Sequence, residues 1–307
     1  MSEKTIDLSV ELAGLRMKNP IVAVSGCFGF GREYGEWFDL NQLGGVCAKG
    51  LTLRPRKGNP PPRVAETPMG MLNSVGFQNP GVEAFLRDEL PLMRRYDIAV
   101  IANISGETPQ EYAEMAGLLG DAVDALEVNI SCPNIKAGGI QFGVDPASAA
   151  EVTAAVKNRV KCPIFVKLTP NVTDIAAIAC AVRDAGADGL SLINTVTGLR
   201  IDPVTRRPVL RRNVGGLSGP AVLPIALRCV WQVSHLGLPI LGMGGVSGAS
   251  DAVEMMLAGA GAVGVGTALF RDPAAILNIV QGLDAFAKEN GIARIRELTG
   301  GIRPWET

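Results

Sequence analysis

Cys132 is the residue of this 307-residue chain best placed to do chemistry. It lies in Leu126-Glu-Val-Asn-Ile-Ser-Cys-Pro-Asn134, where Leu126, Val128 and Ile130 alternate with Glu127 and Asn129 at the strand period of two. Pro133 has no backbone donor and restricts the residue before it, so the strand stops there and Cys132 falls at its carboxyl end. A free cysteine is most often a small buried hydrophobe. Asn129 and Asn134 point the other way, because amides in an apolar core cost free energy unless they find partners, and a polar ligand supplies them. The expected role of Cys132 is an acid or base facing a planar, hydrogen-bonding substrate.

Other chemistries are short of residues. The six cysteines, Cys27, Cys47, Cys132, Cys162, Cys180 and Cys229, are scattered without a Cys-x-x-Cys pair, so the chain is not expected to hold zinc or an iron–sulfur cluster. The single histidine, His235, closes a helical stretch before Gly237 and reads as a cap residue. With a net charge of −1 and no basic block, no nucleic-acid partner is expected. No apolar targeting segment or membrane-length run occurs, and the expectation is a cytoplasmic protein.

The elements that position Cys132 follow a regular rhythm. Apolar strands are expected at Ile21 to Ser25, Gly45 to Lys49, Ile98 to Asn103, Leu126 to Ile130, Ile164 to Leu168, Gly189 to Asn194, Pro239 to Gly242 and Ala262 to Val265. Helices are expected between them: Glu33 to Leu40, Val82 to Met93, Pro109 to Leu119, Pro146 to Val160, Thr173 to Ala185, Pro220 to His235, Ala249 to Ala258 and Pro273 to Asn290. Near-continuous apolar strands belong to a parallel sheet buried on both faces. Eight such units without a linker predict an α/β fold, a single (β/α)8 TIM barrel over residues 1–307, with inserted loops above its C-terminal face. Leu8 to Leu15 reads as a strand or hairpin arm, Leu51 to Pro80 as an irregular, ordered binding loop, and 194–219 as a loop.

Barrel chemistry sits where strands end. Those positions hold Ser25, Lys49, Asn103, Asn129 with Cys132, Lys167, Asn194 with Thr195, Gly244 with Gly245, and Gly266 with Thr267. Two lysines and three asparagines exceed what packing requires. The glycines of Gly242-Met-Gly-Gly-Val-Ser-Gly248 and Gly264-Val-Gly-Thr267 either make tight turns or bare backbone donors to a phosphate, which barrels often bind after strands seven and eight. Neither stretch fits a dinucleotide fingerprint well, and a mononucleotide cofactor such as FMN fits better. Lys167 is the candidate cation for its pyrimidine edge, and a Cys132 thiol, with a free pKa of about 8.5, is a workable base.

Asn129-Ile-Ser-Cys-Pro-Asn134, Asn73-Ser-Val-Gly-Phe-Gln-Asn-Pro-Gly81, Leu192-Ile-Asn-Thr195 and Gly244-Gly-Val with Val265-Gly-Thr267 closely resemble the class 1 dihydroorotate dehydrogenases, from about Leu8 to Ile302. Leu192-Ile-Asn-Thr195 and the Pro55-Arg-Lys-Gly-Asn-Pro60 loop resemble the class 1B catalytic subunit most. The resemblance implies oxidation of dihydroorotate to orotate in pyrimidine synthesis, Cys132 taking the C5 proton while hydride passes from C6 to FMN N5. It implies that Lys49, Asn73, Ser74, Val75, Gly76, Phe77, Asn129, Asn134, Asn194 and Thr195 hold the substrate. It assigns FMN to Ser25, Lys49, Asn103, Asn129, Lys167, Ile193, Gly219, Gly244, Gly245, Gly266 and Thr267. It also implies a partner subunit with FAD and a 2Fe-2S cluster that passes electrons to NAD, in a heterotetramer with two copies of each chain. Cys27, where threonine is expected, and Phe77, where leucine is usual, depart from the pattern.

Two other readings compete. A dihydropyrimidine dehydrogenase-like reductase would act on uracil or thymine, which lack the carboxylate that Lys49 and the Asn73 loop would bind. A non-catalytic barrel sensing a phosphorylated metabolite would need the glycines but neither Cys132 nor Lys167.

Overall fold

Runs of aliphatic residues with no polar face can be satisfied only by a sheet covered on both sides. Eight of them do this here, in a computed structural model that describes residues 5–131 and 142–305. The strands are β1 (Ile21–Ala23), β2 (Gly45–Leu51), β3 (Ala99–Ile104), β4 (Ala125–Asn129), β5 (Ile164–Lys167), β6 (Gly189–Leu192), β7 (Ile240–Met243) and β8 (Ala262–Val265). All neighbours run parallel and the sheet closes in chain order, β8 returning to β1, so the expected (β/α)8 barrel is present.

Helices Pro109–Leu119, Pro146–Lys157, Ile175–Asp184, Leu223–Ser234, Ala249–Leu257 and Ala275–Glu289 follow β3 to β8 in turn. Three of them start at side-chain caps. Thr108, Asp145 and Asp174 accept from the first-turn amides of Glu111, Ser148 and Ala176, which fixes the loops that lead off the carboxyl ends of the strands. His235 is the C-cap residue of Leu223–Ser234, the place expected for it.

Three expectations change. The helix expected from Glu33 to Leu40 is only Arg32–Gly35, followed by a 3-10 turn at Leu40–Gln42. Gly35 propagates a helix poorly, and Asp39 caps the Asn41 amide instead of continuing the earlier turn. The irregular stretch from Leu51 to Pro80 contains a hairpin, Val64–Thr67 with Gly70–Asn73. The loop over 194–219 contributes Val196–Gly198 and Gly215–Ser218 to the same four-stranded antiparallel sheet, plus a small ladder between Ile201–Asp202 and Arg207–Pro208. Each strand is too short to show a period, and its partners are distant in sequence, Asn73 pairing with Gly216.

At the other end, the hairpin Val10–Leu12 and Leu15–Met17 buries Leu12 and Met17 beneath the amino ends of the strands. A methyl group built on Gly261 would lie 2.8 Å from Leu12, which shows how closely this plug fits. The hairpin thus plugs the barrel interior from the amino end.

Candidate active site

A cavity of about 550 Å³ opens at the carboxyl ends of the strands, in the range that takes a small-molecule ligand. It gathers every expected site residue among those described. From the strand ends come Ser25, Lys49, Asn103, Asn129 and Lys167; from the loop after β6, Ile193, Asn194 and Thr195. The hairpin sheet contributes Asn73, Ser74, Val75, Gly76 and Phe77, and the glycine turns contribute Gly219, Gly244, Gly245, Gly266 and Thr267. Cys132 and Asn134 lie outside the described residues.

The Asn73–Phe77 loop is ordered by hydrogen bonds rather than by packing alone. Asn59 accepts nothing from it but donates twice, from its backbone N–H to the Val75 carbonyl at 2.8 Å and from its amide to the Ser74 carbonyl at 2.8 Å. Asn79 ties the far end, donating to the Phe77 carbonyl at 2.6 Å and accepting from the Gly81 amide at 2.9 Å. Two long loops thereby brace one another over the cavity mouth.

The amides of the site are set in definite orientations. Asn129 Oδ1 accepts from the Ser131 amide at 3.2 Å and from Asn194 Nδ2 at 3.3 Å, so the Asn129 NH2 is the end left for a ligand. Its carbonyl takes the Tyr112 hydroxyl at 2.7 Å, which anchors the end of β4 to the helix Pro109–Leu119. Asn103 donates its NH2 to Glu127 Oε2, and its own Oδ1 is buried with no partner among the described residues. A buried acceptor left this way calls for a ligand donor such as a ring N–H.

Lys167, the candidate cation, is paired with a carboxylate. Its Nζ lies 3.1 Å from Glu127 Oε2, and Glu127 is wholly buried inside the barrel. Cys47 also directs its thiol at Oε2, 3.3 Å away. Burial alone would raise the Glu127 pKa. The Lys167 charge, with Asn103, Ser191 and Cys47 around it, outweighs burial and holds the carboxyl below its ordinary value. Lys49, at the end of β2, is pushed down by desolvation, with the Cys27 thiol opposing and Arg63 adding to the shift. The Cys27 thiol, on the cavity wall, is pushed up to about 11, chiefly by desolvation.

Three participants escaped the sequence reading. Ser218 accepts a hydrogen bond from the Thr267 hydroxyl at 2.8 Å, joining the hairpin sheet to the glycine turn after β8. Gly216 presses against Thr195, and the sequence carries no local sign of either contact. Glu127 did carry a signal, since a charged residue two before Asn129 must share its inward face.

A methyl on Gly245, held at a φ of +86°, would sit 2.7 Å from the Leu223 amide at the start of Leu223–Ser234. The turn after β7 therefore brings bare backbone against both a helix start and the cavity. The glycine turns after β7 and β8 and the orphaned Asn103 acceptor fit a ligand with a phosphate at one end and a hydrogen-bonding ring at the other.

Fold and cavity together define a (β/α)8 barrel whose polar site lies in the loops at its carboxyl face. Residues 7–286 match the family model described as dihydroorotate dehydrogenase. A protein of Pelobacter propionicus named dihydroorotate dehydrogenase B (NAD(+)), catalytic subunit, is 52% identical over 96% of this chain and 98% of its own length. Proteins of the same name from Anoxybacillus flavithermus and Thermoanaerobacter pseudethanolicus are 54% and 51% identical, over 97% of this chain and 96% and 99% of their own lengths. The chain belongs to the dihydroorotate dehydrogenase family.

Proposed function

We propose that this chain oxidises dihydroorotate to orotate with bound FMN, for pyrimidine synthesis in the cytoplasm. The observation that carries the reading is the convergence, in one cavity, of Lys49, Asn129, Asn194 and Lys167 with the glycine turns after β7 and β8. Lys49 binds the substrate carboxylate as a cation, and Asn73, Asn129, Asn194 and Thr195, with Asn134, meet the ring amides. Phe77 packs its ring edge near Gly50 and shapes the wall on that side. Cys132 accepts the C5 proton. FMN, when bound, supplies the two-electron acceptor; Ser25, Lys49, Asn103, Asn129, Lys167 and Ile193 hold its ring, and Gly219, Gly244, Gly245, Gly266 and Thr267 its phosphate.

The relatives are named as NAD(+)-linked catalytic subunits, which supports an electron route through a second subunit. We assign FAD, a 2Fe-2S cluster and NAD to that subunit, in a heterotetramer. Among the described residues no group of three or more His, Cys, Asp or Glu side chains could hold a metal ion, and no helix is long and apolar enough to cross a membrane.

The direct test is anaerobic mixing of the flavin-loaded chain with dihydroorotate while the flavin absorbance is followed. Bleaching is the expected result. A flavin that stays oxidised with dihydroorotate but bleaches with dihydrouracil favours the uracil reductase instead. The phosphate assignment has its own check. Gly245→Ala places a side chain where left-handed backbone costs about 1–2 kcal/mol, and FMN affinity, measured by fluorescence titration of the apoprotein, is expected to fall roughly tenfold.

A further inference from the structure

We propose that Glu127 is a positioning residue of this site: its carboxylate, sealed inside the barrel, fixes the Lys167 ammonium and the Asn103 amide, so that Lys167 donates and Asn103 accepts at the ring edge of the bound cofactor. The proposal rests on the flavin reading above and extends it to a residue that does not itself line the cavity.

Topology brings the group together. Asn103 on β3 stands in register with Glu127 on β4, and Lys167 on β5 in register with Asn129, two residues further along. Alternation keeps Glu127 and Asn129 on the inward face, one layer apart. The three donors of Lys167, Asn103 and Cys47 converge on one oxygen, Oε2. Two of them, Lys167 and Asn103, belong to the cavity wall.

The carboxylate settles which way the Asn103 amide faces. Turned over, its Oδ1 would oppose an ionised oxygen, so NH2 must face Glu127 and Oδ1 becomes the buried acceptor beside Gly50. Lys167 is likewise held by one of its three donors, leaving the others for a ligand. The pair carries no net charge. What Lys167 offers is therefore an aimed donor, and the energetic cost of a lone buried cation is removed by a counter-charge placed away from the ligand.

Removing that charge should expose it. In Glu127→Gln, Lys167 keeps an acceptor of the same shape but loses its counter-ion. The flavin potential is then expected to lie above wild type, because an uncompensated cation beside the ring favours its reduced form. Cys27 from the β1 loop and Cys47 from β2 also feel the Lys167 charge, and both remain in the variant. A Glu127→Gln, Lys167→Met double variant should lose the rise, which assigns it to Lys167.

Potentiometric titration of the three flavin-loaded proteins at one fixed pH is the experiment. A Glu127→Gln potential equal to that of wild type overturns the proposal. Should that variant fail to retain flavin, thermal melting of the full chain still decides, through wild type, both single variants and the double variant. Lys167→Met strands a buried carboxylate, so the double variant is expected to melt above either single one, and additive shifts overturn the proposal. The melting cycle does not depend on flavin, whereas wild-type protein that dihydroorotate cannot reduce refutes the functional reading itself.

Discussion

Replacing Cys132 with alanine is expected to slow flavin reduction by dihydroorotate roughly 100- to 10,000-fold while leaving FMN bound, the range a positioned general base contributes. That loss corresponds to about 3–5 kcal/mol of transition-state stabilisation. Apart from Asn129, the cavity residues that would hold the cofactor sit on strands and turns other than the Cys132 segment, so the two readouts separate. Stopped-flow bleaching against pH sharpens the test. Only the thiolate accepts a proton, so the wild-type rate should climb with pH and level off around the ordinary thiol value of about 8.5. Cys27 does not confuse that limb, because its thiol is pushed up to about 11, and burial pushes Cys47 higher than its ordinary value too. Cys132→Ser, whose hydroxyl keeps its proton throughout, should lose both rate and limb. An alanine variant that bleaches as fast as wild type would remove Cys132 from the mechanism.

The barrel was legible because its strands are doubly buried and alternate regularly with helical stretches, both of which leave marks in the local sequence. The strand-end residues were legible for the same reason, since once β2, β3 and β5 are drawn, Lys49, Asn103 and Lys167 must reach the carboxyl face. The sheet over the mouth was not. Its four strands are only three or four residues long, and pairs such as Asn73 with Gly216 are made across the fold, where no local period reports them. Lys167 illustrates an intermediate case. Its position was readable, but its charge state as seen by a ligand depends on Glu127, an acid that looks on the page like the polar half of an alternating strand. In a strand covered on both faces no polar half exists, and a glutamate there has to find a cation.

Lys49→Met is the variant that separates the two pyrimidine readings, and it is expected to weaken orotate binding about 10- to 150-fold while changing uracil binding little. A hydrogen bond to a charged group is worth roughly 1.5–3 kcal/mol, which gives that factor. Lys49 is suited to the task because it is largely desolvated, which lowers its pKa and increases what it gains from a bound anion. Arg63 adds to the positive character of that wall. The pH dependence follows from the sign of the shift. With its pKa lowered, Lys49 sheds its proton at a lower pH than an ordinary lysine, so orotate affinity should be full on the acid side and decline as pH rises through that value. Bound carboxylate draws the pKa back up, and the decline should therefore lie further toward alkaline pH at saturating ligand. Lys49→Met should flatten the curve. Titrating the flavin absorbance with orotate and with uracil measures both affinities in one protein. Equal losses for the two ligands would mean that Lys49 only shapes the cavity, and the carboxylate would then have to be held elsewhere, which would weaken the case for dihydroorotate over dihydrouracil.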